Sequence, residues 1–80
     1  MSSQDDQLIR CFHATFGELP VETVVGASVD TLEGWDSLQT VILVAVLEET
    51  FELRIPAQEL PELRSYASVR DYLRRRQVLR

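Results

Sequence analysis

The segment 36–51 is apolar around almost its whole circumference when it is drawn as a helix, and this feature constrains the fold most strongly. At about 100° per residue, apolar side chains point in nearly every direction: Leu38, Val41, Ile42, Leu43, Val44, Ala45, Val46, Leu47 and Phe51. A helix of this kind is buried on several sides. Because a chain of 80 residues is too small to cover all of it, we expect part of this surface to bind a partner.

The start of this helix and the region before it can be placed from local patterns. Asp36 is a good N-cap, and Gln39 three residues later suits the capping-box position. Residues 5–16 carry apolar side chains at four-residue spacing, which predicts a first amphipathic helix. Residues 20–34 show no sustained helical period and predict a long ordered loop with room for one short turn. Loops of this length in a small domain are more often functional than not.

Two further helices are expected in the last third of the chain. Pro56 suits the first turn of a short helix that stops near Pro61. Ser68 with Asp71 resembles a capping box and predicts the start of the last helix. The predicted fold is therefore all-α: a small antiparallel four-helix bundle with three main helices and one short helix. We expect one domain over residues 1–80, with a core from about 5 to 76.

Charge and composition exclude several classes of function. Twelve of the thirteen acids precede residue 64, whereas six of the eight arginines lie at or after it, so the acidic body favours a basic partner and disfavours nucleic acid. No apolar run approaches the roughly 20 residues that span a membrane. The polar N-terminus differs from a signal peptide, and we expect a cytoplasmic monomer. A single cysteine (Cys11) and a single histidine (His13) exclude the usual zinc sites, so no metal is expected.

The junction between the loop and the central helix carries the most informative chemistry. A Ser37 hydroxyl at a helix N-terminus lies near unpaired backbone N–H groups, which favour a negative group such as a phosphodiester. Gly34 permits a tight turn, and Asp36 could cap the helix or hold a divalent cation beside an incoming phosphate. Taken alone, the pattern is explained most simply as a cap. A serine nucleophile lacks support because there is no Gly-x-Ser-x-Gly elbow and the one histidine is remote in sequence, so the chain is not expected to be an enzyme.

A family resemblance covers residues 8–73. The chain resembles the acyl carrier proteins in three motifs: Gly34-Trp35-Asp36-Ser37-Leu38, Leu47-Glu48-Glu49-x-Phe51 and Ile55-Pro56. The resemblance implies a 4′-phosphopantetheine arm, derived from coenzyme A, on Ser37 between the flanking residues Asp36 and Leu38. It also implies two kinds of partner, a phosphopantetheinyl transferase and the enzymes that load and process the cargo. The residues expected to contact partners are Trp35, Leu38, Ile42, Ala45, Glu48, Glu49 and Ile55.

The chain departs from the family pattern at the proposed partner face. Gln39 and Ile42 stand where fatty-acid carriers usually have acids, so the face is less acidic and more apolar. We therefore expect a dedicated carrier from a specialised pathway, polyketide-like or another secondary pathway. Trp35 could anchor the edge of the core or form an exposed contact. Residues 57–68 form a segment that is a few residues longer than in typical fatty-acid carriers.

Two alternatives stay open at the level of the sequence. An aminoacyl or peptidyl carrier loaded by an adenylation enzyme would use the same serine and the same arm. Asp36 favours the acyl class, because peptidyl carriers more often have histidine before the serine, but some dedicated aminoacyl carriers share Asp-Ser. The other alternative is a non-covalent helical interaction module in which Ser37 is merely part of a helix start.

Overall fold

The computed structural model describes residues 4–78, and this part of the chain contains five helices. They are α1 (Gln4–Phe16), α2 (Val21–Val25), α3 (Ser37–Phe51), a 3₁₀ helix (Ala57–Glu62) and α4 (Tyr66–Arg75). The predicted all-α class is confirmed. The described residues form no strand, only an isolated antiparallel bridge between Ser28 and Ser65.

Helix α3 begins and ends where the sequence predicts. Asp36 is its N-cap, and the backbone N–H of Gln39 donates to the Asp36 carboxylate at 2.9 Å. The predicted capping box is incomplete, because Gln39 Oε1 is buried without a hydrogen-bond partner in residues 4–78 and the N–H of Asp36 donates to the Gly34 carbonyl instead. At the other end, Glu52 adopts a left-handed conformation and its N–H donates to the carbonyl of Glu48.

The core forms where α1 packs against α3, and buried side chains of α4 complete it. Fully buried side chains from these helices share one cluster, to which α2 and the segment before α4 also contribute: Leu8, Cys11, Phe12, Val24, Leu43, Leu47, Leu63, Val69 and Leu73. Each buried leucine or phenylalanine contributes about 1.5–3 kcal/mol relative to an exposed position. This cluster fixes one side of α3 and leaves its opposite side uncovered.

The segment between α1 and α3 is more ordered than a plain loop. Pro20 and Gly26 flank the one-turn helix α2, which buries Val24 completely and leaves Val21 and Val25 about half exposed. The remaining loop is held by backbone hydrogen bonds to the first residue of α4 and to the chain just before it. Here the N–H of Val29 donates to the carbonyl of Arg64 at 2.8 Å, and the N–H of Tyr66 donates to Ala27 at 2.9 Å.

The predicted start of the last helix at Ser68 is wrong by two residues, because α4 begins at Tyr66. Ser65 is the N-cap: its side chain accepts from the N–H of Ser68, and the Ser68 hydroxyl accepts from the N–H of Ser65. Ser68 therefore belongs to a capping box, but as its third helical residue rather than as its cap. The earlier start places Tyr66 in the helix, and its side chain lies in the core.

The short helix predicted near Pro56 is a 3₁₀ helix that continues through Pro61 to Glu62. The hydroxyl of Tyr72 hydrogen-bonds to Glu59, and Arg75 pairs with Glu62 at 2.7 Å. These contacts attach the 3₁₀ helix to α4 and hold it beside the N-terminal half of α3.

Candidate functional site

Ser37 is the first residue of α3, and its side chain is exposed. Its hydroxyl makes no hydrogen bond within residues 4–78. The Asp36 carboxylate accepts from Gln39, so the N–H groups of Ser37 and Leu38 have no acceptor inside the helix. These two donors lie at the positive end of a 15-residue helix, where an anion is stabilised by about 0.3–1 kcal/mol.

Trp35 anchors the chain just before Ser37. Its side chain is only 4% exposed, and its ring packs edge-on against Phe12 of α1 with 5.5 Å between the centroids. Gly34, at φ 92°, makes the turn that brings Trp35 inward. A Cβ at this position would meet no atom within 4 Å, so glycine is required by the backbone angle rather than by space.

Thr40 completes this anchor, and the sequence analysis missed its role. The indole N–H of Trp35 donates to the Thr40 hydroxyl at 3.0 Å, and that hydroxyl donates to the carbonyl of Asp36 at 3.0 Å. The buried hydroxyl of Thr40 therefore connects Trp35, which is anchored in the core, with the backbone of the N-cap residue Asp36. These bonds hold the chain before and after Ser37. The signal was present, because a buried tryptophan N–H needs an acceptor and Thr40 carries a hydroxyl one helical turn after Asp36.

A groove of about 520 Å³ opens beside Ser37, between the start of α3 and the 3₁₀ helix. Apolar side chains predominate in its lining, together with four polar or charged residues: Val29, Trp35, Asp36, Ser37, Thr40, Val41, Ala57, Leu60, Pro61, Leu63 and Arg64. A flexible group attached to Ser37 could therefore extend into solvent or fold into an apolar groove next to its attachment point.

Four of the residues predicted to contact partners lie on one exposed face of α3. Leu38 is 68% and Ile42 41% exposed, and Ala45 and Glu49 are also exposed. Their spacing of four, three and four residues places them in one stripe, which we call the α3 stripe. Val41 flanks it and is 53% exposed, a contribution that the predicted set omitted.

The other three predicted contact residues have structural roles. Trp35 and Ile55 are 4% and 7% exposed, so a docked protein could reach little of either side chain. As a correction, we remove Trp35 and Ile55 from the predicted partner surface. Glu48 is half-buried, and its carboxylate accepts from the N–H of Ile55 at 2.8 Å. This bond closes the turn after α3.

The residues that could have supported other chemistry are engaged elsewhere. His13 bonds through its ring to the carbonyl of Leu19 at 2.9 Å. Cys11 is buried in the core, and this burial raises the pKa of its thiol, which keeps it protonated and unreactive. Within residues 4–78, no three histidine, cysteine or acidic side chains lie close enough together to hold a metal ion.

An exposed serine at a helix start, next to a buried anchor and an apolar groove, is suited to hold a covalently attached group. A family model described as a phosphopantetheine attachment site matches residues 6–73. The chain belongs to this family, whose members are non-catalytic carriers with a covalently attached 4′-phosphopantetheine. The predicted resemblance to acyl carrier proteins is confirmed at the level of this family. A search of solved structures found no significant match.

The site fits the family's prosthetic group. The unpaired hydroxyl of Ser37 is accessible for esterification, and two backbone N–H groups next to it suit the charge of a phosphodiester.

Across residues 4–78, no helix is both long and apolar enough to cross a membrane. The cytoplasmic location stays a prediction.

Proposed function

We propose that Ser37 carries the 4′-phosphopantetheine arm and that the protein is an acyl carrier protein of a specialised biosynthetic pathway. The observation that carries the proposal is the exposed, unbonded hydroxyl of Ser37 at the start of a capped helix, in a chain that matches the attachment-site family over residues 6–73. When it is bound, the arm supplies a terminal thiol that holds cargo as a thioester.

The chain's own residues would present the arm in a fixed direction. The N–H groups of Ser37 and Leu38 would donate to the phosphate, which the helix dipole also favours. The Asp36 carboxylate already accepts from Gln39 and so keeps the first turn intact. Trp35 and Thr40 hold this turn against the core, which limits the range of positions that the attachment atom can take.

The residue before the serine supports an acyl carrier, and the α3 stripe supports a dedicated carrier of a specialised pathway. Asp36 favours the acyl class over peptidyl carriers, which more often have histidine at this position. Residues 37–47 contain no charged side chain, and Leu38, Val41 and Ile42 are exposed there. A partner that docks on the α3 stripe would therefore present an apolar surface, with a basic group opposite Glu49 at its far end.

The covalent proposal is tested by intact mass. The apo protein is incubated with coenzyme A and a broad-specificity phosphopantetheinyl transferase, and we expect one phosphopantetheine to be added. Ser37→Ala should abolish the addition, whereas Ser28→Ala, at a loop serine, should keep it. A wild-type protein that gains no mass, or an addition that survives Ser37→Ala, would refute the proposal and favour the non-covalent interaction module.

The main alternative is an aminoacyl or peptidyl carrier, which would use the same Ser37. The simplest way to distinguish an acyl carrier from an aminoacyl or peptidyl carrier is to identify the genes next to the gene for this protein. A ketosynthase-type partner would support acyl cargo. An adjacent adenylation enzyme that loads the holo protein with an amino acid would overturn the acyl assignment and leave the covalent arm in place.

A further inference from the structure

The surroundings of Ser37 are acidic. The loop 26–36 leading to it carries Asp30, Glu33 and Asp36, all exposed, and no basic residue. None of the three forms an ion pair within residues 4–78. A phosphodiester on Ser37 would add a further negative charge, and like charges at short range disfavour one another. The two helix N–H donors act against this repulsion.

Arg64 is the one basic residue in the described lining of the groove that also includes Ser37. Three arginines of α4 and its C-cap already have acidic partners, since Arg70 pairs with Asp5, Arg75 with Glu62 and Arg76 with Glu59. The guanidinium of Arg64 has neither an ion pair nor a side-chain hydrogen bond within residues 4–78. It is therefore available to an anion that enters the groove.

The backbone of Arg64 is held in place on both sides. Its carbonyl accepts from the N–H of Val29 at 2.8 Å, and its N–H donates to the hydroxyl of Ser68 at 3.1 Å. These bonds fix the Cα of Arg64 where the loop wall of the groove meets the end of the 3₁₀ helix. The fixed Cα limits the region that the guanidinium can reach, and its planar fork matches two oxygens of a phosphate.

We propose that Arg64 binds the phosphate of the arm on Ser37 and so directs the start of the arm into the groove. This inference rests on the proposed function, because it requires the arm. The phosphate is the anion that Arg64 meets, rather than an acidic cargo, because the phosphate is bonded directly to Ser37 and the cargo lies at the distal end of the arm. Arg64 is a positioning residue for the arm and plays no part in its attachment.

The test uses the holo protein with a free terminal thiol, so that the phosphate is the only anion on the arm. Wild type, Arg64→Gln and Arg54→Gln are compared by ³¹P NMR in about 0.01 M and about 1 M NaCl, between which the screening length falls from about 30 Å to about 3 Å. Arg54→Gln is the matched control. It removes the same charge from an exposed side chain beyond the far end of α3, a helix about 22 Å long.

We expect the ³¹P resonance of wild type and Arg54→Gln to move with salt, and Arg64→Gln to lose at least half of that movement. The Nε–Hε resonance of Arg64 should also shift when the apo protein becomes holo, whereas that of Arg54 should stay in place. Arg64→Lys should restore part of the salt response, because it keeps the charge without the planar fork. Circular dichroism should show an unchanged fold, since only the backbone of Arg64 is used in the structure.

The two proposals fail in distinguishable ways. A wild-type protein that never gains the arm refutes both. A holo protein whose ³¹P salt response is the same in Arg64→Gln and Arg54→Gln refutes the role of Arg64 and leaves the carrier assignment intact. An unmoved Nε–Hε resonance of Arg64 on modification would refute it as well.

Discussion

Replacing Thr40 by valine should destabilise the protein by about 1–2 kcal/mol. Valine has nearly the same shape and helix propensity as threonine, but it removes the acceptor of the Trp35 indole N–H and the donor to the Asp36 carbonyl. A buried N–H left without a partner costs about 1–3 kcal/mol. Thr40 is 9% exposed, so the added methyl group offsets at most about 0.8 kcal/mol of this.

The measurement is urea unfolding followed by far-UV circular dichroism. The unfolding free energies of wild type and variant are compared with one common slope of free energy against urea concentration. In a domain of this size, each kcal/mol corresponds to about 4–8 °C in the melting temperature. Thr23→Val is the control, because Thr23 is exposed and it should change stability by less than about 0.5 kcal/mol.

A double-mutant cycle with Trp35→Phe isolates the contact itself. Phenylalanine removes the indole N–H, so Thr40→Val should cost about 1 kcal/mol less in that background than in wild type. A loss of under about 0.5 kcal/mol for Thr40→Val in wild type, or a cycle with no coupling, would show that this hydrogen bond does not fix the start of α3.

Three other substitutions test separate parts of the reasoning. Asp36→Ala should lower the unfolding free energy by about 1 kcal/mol, while Asp36→Asn, which keeps the cap, should stay within a few tenths; equal losses in urea unfolding would contradict the capping role. Ile42→Glu should leave helicity intact and change which loading enzymes act on the holo protein, whereas a loss of circular dichroism signal would mean that Ile42 belongs to the core. Burial raises the pKa of the Cys11 thiol above its ordinary value of 9.0, so the stabilisation linked to its proton is complete below about pH 9 and is lost as the pH rises through the higher folded pKa. Cys11→Ala should weaken that decline above about pH 9, and an unchanged pH profile would refute this linkage.

The central helix could be predicted from the sequence because its signals are local. Asp36 and Ser37 mark its start through backbone preferences that extend over one turn, and its excess of apolar residues indicates both burial and a partner face. The exposed stripe containing Leu38 and Ile42 follows directly from helical periodicity once one side of α3 is covered.

The errors arose where a residue's role depends on a distant or competing contact. Ser68 and Ser65 are both acceptable caps by sequence, and the choice between them depends on burying Tyr66 against α1, where its ring lies 5.3 Å from that of Phe12. Glu48 looks like a surface acid until the turn after α3 brings the N–H of Ile55 to its carboxylate. No periodicity in the sequence encodes either contact.

The main-chain bonds that join residues 27–29 to residues 64–66 have a consequence for protein design. They link the two walls of the groove through N–H and carbonyl groups, which every residue except proline can supply. The side chain of Val29, which lines the groove, can therefore be exchanged without removing this link. The inner surface of the groove could be altered for a chosen cargo by varying such positions in a library, while the architecture that encloses it is retained.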